Sequence, residues 1–142
     1  MRVLLAILIC CSRLLADLKQ VKAEPNLEKR SRAALDHAEQ ALKESRRAYA
    51  DGNLQLTTEL LEEVGESVDL VEASLKASGK DPIKSPKYFK IAEIKTGSLL
   101  RSVEAFSRDM NDADRPMIEK LKEKLQDTHD RLLQAIMTRK KK

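Results

Sequence analysis

The chain has 142 residues, 27 Lys plus Arg against 23 Asp plus Glu, two histidines, two cysteines and no tryptophan. That is the length of one ordinary domain, and a composition rich in Ala, Leu, Glu, Lys and Arg with few Gly and Pro reads as long helices. The formal charge of +4 sits at the ends: Arg2 and Arg13 near the start, Arg139, Lys140, Lys141 and Lys142 at the close. The body between them is near neutral, which argues against a nucleic-acid-binding surface.

The first sixteen residues have the layout of a secretory signal peptide. Met1 and Arg2 precede an apolar run from Val3 to Cys11, then Ser12, Arg13, Leu14, Leu15 and Ala16 lead to the polar Asp17. Nine apolar residues in a helix reach about 14 Å, against a hydrocarbon core of about 30 Å. Extending the run to Ala16 buries Arg13, at a cost of about 2.5–3.5 kcal/mol. A membrane span is therefore not expected. The expected product is exported, periplasmic or secreted, with cleavage after Ala16. Val21-Lys22-Ala23 fits small-x-small better, but lies far from the apolar run and is the second choice. A lipid on Cys10 or Cys11 is disfavoured, because Ile9 rather than a small residue precedes Cys10. Loss of the leader removes both thiols, and with them disulfides, thiolate-bound zinc and a cysteine nucleophile.

Residues 17–25 carry no clear apolar stripe and read as a loose N-terminal arm. From 26 to 142 the pattern is helical throughout, with helices expected at about 26–50, 54–78, 86–110 and 113–138. Leu35, Ala38, Leu42, Ser45 and Tyr49 recur at alternating steps of three and four, flanked by Ala34, Ala41 and Ala48. Leu54, Thr57, Leu61, Val64, Val68, Val71 and Leu75 continue the rhythm in the second helix. Phe89, Ala92, Thr96, Leu99, Val103, Phe106 and Met110 carry it in the third; Ile118, Leu121, Leu125, Thr128, Leu132 and Ala135 in the fourth. Leu60, Leu100, Leu133 and Ile136 widen these stripes to the face a bundle core needs.

The punctuation agrees. Pro25-Asn26 opens the first helix and Asp51-Gly52-Asn53 makes a tight turn. Gly79 ends the second helix, and Ser85-Pro86 reads as N-cap and first helical residue of the third. Asn111 to Asp114 closes the third and opens the fourth, whose first turn tolerates Pro116. Short connections make neighbours antiparallel, so the expected fold is all-α, an up-down-up-down four-helix bundle.

Ala48-Tyr49-Ala50-Asp51-Gly52-Asn53 before an amphipathic helix resembles the hairpin of a tetratricopeptide repeat. No second copy follows at a spacing of about 34 residues, so a solenoid is rejected. Glu24-Pro25-Asn26-Leu27-Glu28-Lys29-Arg30, Ser85-Pro86-Lys87-Tyr88-Phe89-Lys90 and Asp114-Arg115-Pro116 are similar to blocks in small exported bacterial helical proteins of unknown function. That resemblance implies export and a helical fold, and no activity.

No catalytic, metal or cofactor site is expected. The residues three before His37 and His129 are Ala34 and Gln126, so the Glu-x-x-His pairs of a di-iron bundle are missing. No His-Glu-x-x-His or Gly-x-Ser-x-Gly motif occurs. Both histidines sit beside a seam position and read as boundary residues. Glu62-Glu63 and Asp127 with Asp130 read as solvated charge. The basic tail suits a helix C-terminus. One cluster is not explained by helix stability: Lys80, Lys84, Lys87 and Lys90, with Tyr88 among them, surround a helix start whose dipole they oppose. The expectation is a non-enzymatic exported protein acting by protein–protein contact or as a structural part of the envelope. The alternative is binding of an anionic envelope surface through Lys80 to Lys90. Thr57, Thr96 and Thr128 on the seams are compatible with a loosely packed monomer or with half of a homodimer.

Overall fold

The computed structural model describes residues 18–138. Residues 1–17, which contain the expected leader, and the Arg139–Lys142 tail lie outside the described residues. The fold is all-helical, with no strand among the described residues. Four long helices dominate: α1 (Leu27–Ala50), α2 (Leu54–Ala77), α3 (Lys87–Asp109) and α4 (Pro116–Met137).

The boundaries follow from local chemistry. Asn26 caps α1, its side chain accepting the Lys29 amide at 2.9 Å. Gly52 turns the chain at φ +76°, and Asn53 caps α2 by accepting the Leu56 amide at 3.0 Å. Gly79 takes φ +65° after α2, a conformation costly for any residue with a Cβ. Two helix starts differ from expectation. The Ser85 amide is held by the Asp81 carbonyl at 2.8 Å, so Ser85 belongs to the preceding turn and Pro86 takes the N-cap position, without a side-chain cap. The fourth helix begins at Pro116 rather than 113, because Asn111 to Arg115 form hydrogen-bonded turns and the Asp114 carboxylate is occupied elsewhere.

Three-four spacing places one face of each helix inside. Leu35, Val64, Val68, Val71, Val103, Phe106, Ile118 and Leu125 are at most 2% exposed. α1 packs most extensively on α2, and α3 on α4. Arg46 pairs with Asp109 at 2.5 Å and Lys95 with Asp36, so α1 and α3 run in one direction. Lys124 pairs with Asp69 at 2.6 Å and Arg131 with Glu72 at 2.9 Å, linking α2 to α4 in the same way. Seven of the most buried side chains are hydroxylic: Ser31, Ser45, Ser67, Ser74, Thr57, Thr96 and Thr128. Several bond back to their own helix, as Ser45 does to the Leu42 carbonyl at 2.7 Å and Ser67 to the Glu63 carbonyl at 2.8 Å.

The expected loose arm is neither loose nor irregular. Residues 18–23 are helical, Leu18 is 4% exposed, and Val21 packs against the core. Two apolar residues three apart give one sticky edge, too short to register as a periodic stripe. Leu54 also departs from expectation: at the first position of α2 it projects past the core and is 43% exposed.

Candidate functional site

The lysines singled out in the sequence lie where α2 hands over to α3, but they do not act as one group. Lys80 forms an ion pair with Glu28 of α1. Lys84 stands on the exposed turn, and Lys87 and Lys90, three residues apart, share one face of α3. The Lys87 ammonium lies 5.3 Å from the centre of the Tyr88 ring, a cation–π distance. Tyr88 itself is half-buried against the core. Lys84 and Lys90 have no ion-pair partner among the described residues. α3 starts without a side-chain cap, so its first amides are open to solvent or an anion.

Two open grooves follow the line between α2 and α4. One, of about 720 Å³, has Leu75, Phe89 and Leu132 in its floor and Lys76, Lys80 and Arg131 on its rim. Arg131 is held there by two bonds to Glu72, at 2.9 and 3.0 Å. The Glu72 hydrogen bond raises the Arg131 pKa, against a smaller lowering by burial, so its charge is secure. The second groove, of about 350 Å³, opens over Gly65 between Leu61, Met117 and Leu121, with Glu62 and Lys120 at its edges.

The histidines hold the least expected arrangement. His37 and Glu63 are 6% and 7% exposed, with Nε2 of the ring 3.0 Å from Oε1 of the carboxylate. Neither is a boundary residue or a solvated charge, as their positions beside the seam had suggested. Each sits one residue before a seam position (Ala38 and Val64) on the packed helices α1 and α2, and the two flanks close on each other. The other hairpin repeats the device with the opposite offset. His129 follows Thr128, Glu93 follows Ala92, and their Nε2 and Oε1 atoms lie 2.9 Å apart. His129 also has Nδ1 3.6 Å from Asp130. The paired flank positions were the available signal; only the helix pairing turns them into contacts.

Each of these Nε2 atoms is already committed to a carboxylate. Neither His37 nor Glu63 lines either of these two grooves. No group of three metal-ligating side chains occurs among the described residues. A third polar cluster ties the helix ends: the Tyr49 hydroxyl donates to Asp114 at 2.9 Å and accepts the Asn111 amide at 2.9 Å, while its ring meets Phe106 edge-on at 5.7 Å. Arg46 lies over the same Phe106 ring at 5.4 Å. No family model matches the chain, and no curated protein or solved structure does either.

Proposed function

We propose that this is an exported helical protein that works by contact with a protein partner in the cell envelope or outside the cell, not by catalysis. In this reading the four helices form an up-down-up-down bundle; the short turns and the Arg46–Asp109 and Lys124–Asp69 pairs support that arrangement. Export is supported by the leader pattern and by the resemblance to small exported helical proteins.

The observation that carries the contact reading is where apolar surface is left uncovered. Ile94 on α3 is 64% exposed and Met137 on α4 73%, the two most exposed large apolar side chains among the described residues; Leu133 of α4 (38%), Leu54 of α2 (43%) and Ile83 of the turn (37%) follow, and α1 has none. Leu133 and Met137 are four apart and share a face of α4. Leu133 is one turn from His129, whose ring meets Glu93, the neighbour of Ile94. Covering such surface gains about 25 cal/mol per Å². Cross-linking in intact cells should capture a protein partner, and replacing Ile94, Leu133 and Met137 together with Ser should remove it. Undiminished capture by a folded triple variant sinks the assignment of this face.

A second reading is favoured by the start of α3, which has no side-chain cap, and by Lys84 and Lys90, which have no ion-pair partner among the described residues: this end binds an anionic envelope surface. Replacing Lys84, Lys87 and Lys90 with Gln should abolish retention on anionic vesicles, and raised salt should do the same. Unchanged retention excludes it.

A further inference from the structure

We infer that the groove between the last turns of α2 and α4 binds a single-chain amphiphile, an alkyl tail ending in an anionic carboxylate or phosphate head. The inference goes beyond both readings above and stands or falls apart from them. Ile94, Leu133 and Met137 do not line this groove, and neither do Lys84, Lys87 and Lys90.

The hollow follows from small residues on both walls. Ala73 of α2 and Ala135 of α4 line it where longer side chains would fill it. Gly79, at φ +65°, turns the chain after α2, and Pro82 of the following turn lines the same hollow. The floor is the edge of the core itself, since Leu75, Phe89 and Leu132 are all buried members of it. At about 720 Å³ the groove has the size of a small-molecule site, apolar below with a few polar groups above.

The rim carries the charge, with Lys76, Lys80 and Arg131 set against Asp69 and Glu72. Both carboxylates are already held: Glu72 accepts two bonds from Arg131, and Asp69 accepts one from Lys124 at 2.6 Å. Lys80 is paired with Glu28, which is not in the groove. Lys76 has no ion-pair partner among the described residues, and Nη1 of Arg131 donates to nothing there. One whole cation and the spare N–H groups of a second therefore stand over a hydrocarbon floor. Such a rim attracts an anionic head, and the floor rewards each methylene of a tail that it covers. A partner helix would need an apolar strip several turns long. Here the Asp69–Lys124 pair stands between the hollow and the second groove, so the apolar floor is short.

The test is calorimetric titration of the purified full chain with decanoate, decyl phosphate and decyltrimethylammonium, each below its micelle concentration. One saturable site for an anionic probe is expected, and the tighter of the two anions identifies the head. The cationic probe, with the same tail, should bind about tenfold more weakly or not at all. Ala73 is exposed, so Ala73→Trp fills the hollow without disturbing the core and should abolish binding. Lys76→Gln should weaken the anionic probe about threefold, within what one exposed charge pair supplies. Arg131→Gln also frees Glu72 to repel the head, and should weaken it further. No saturable binding of either anion overturns the inference. So does equal binding of the cationic probe, or unchanged binding by a folded Ala73→Trp chain.

Discussion

A Cβ added to Gly97 would stand 3.1 Å from Nε2 of His129 and 3.2 Å from its Cδ2. The absence of a Cβ at Gly97 leaves the space that the His129 ring occupies where it meets Glu93. Gly65, the other buried helical glycine, has nothing nearer than 3.9 Å to such a Cβ. Alanine is better than glycine in a helix by about 1 kcal/mol. Gly65→Ala should therefore raise the urea midpoint, by about 0.5–1 kcal/mol of stability. Gly97→Ala should raise nothing, because it displaces His129 from Glu93. In a His129→Ala background the same Gly97→Ala change should become stabilising, and a double-mutant cycle reads the coupling directly.

Removing one partner of the His37–Glu63 pair leaves the other buried without its bond. His37→Ala should cost at least about 1–3 kcal/mol in urea unfolding, since it leaves the buried Glu63 side chain without its hydrogen-bond partner. Replacing both residues with Leu and Met should cost far less. If the single and double variants are equally destabilised, the loss is packing and not the pair.

Tyr49→Phe keeps the ring on Phe106 but removes the hydroxyl that joins Asp114 to the Asn111 amide. It should cost about 1–2 kcal/mol, with faster amide exchange at Asn111. Exchange unchanged in the 110–115 turn would contradict the clamp.

Arg131 and Glu72 test the opposite expectation. Their side chains are 58% and 30% exposed, so the pair works in high dielectric. Glu72→Gln should change stability by about 1 kcal/mol at most. The raised Arg131 pKa adds stability that is fully present below arginine's ordinary range and fades only above it, so between pH 5 and 9 Arg131 should contribute no pH dependence.

The inner faces of the helices were legible because a three-four rhythm survives in every long segment. Thr57, Thr96 and Thr128 were recognised as seam positions by spacing despite their hydroxyls, and all three are fully buried. The ends were less legible. Ser85 looks like a cap until Asp81 takes its amide, and Asp114 looks like part of a helix start until Tyr49, 65 residues away, takes its carboxylate. The lysine cluster was visible as a run of charge, but Glu28 claims Lys80 from another helix. His37 and Glu63 became partners only through the pairing of α1 with α2. Periodicity reports which way a residue faces; it does not report who stands opposite.

The hydroxyl-lined seam has a thermal consequence. Heat capacity rises on unfolding by about 0.45 cal/K/mol for each Å² of hydrocarbon wetted and falls by about 0.26 for each Å² of polar surface. Seven interior Ser and Thr side chains replace methyls with groups of the second kind. Calorimetry should give an increment at or below about 12 cal/mol/K per residue, the low end for globular chains. Such a molecule has a shallow free-energy dome, holding a modest margin over a broad span of temperatures instead of a large one near a single optimum.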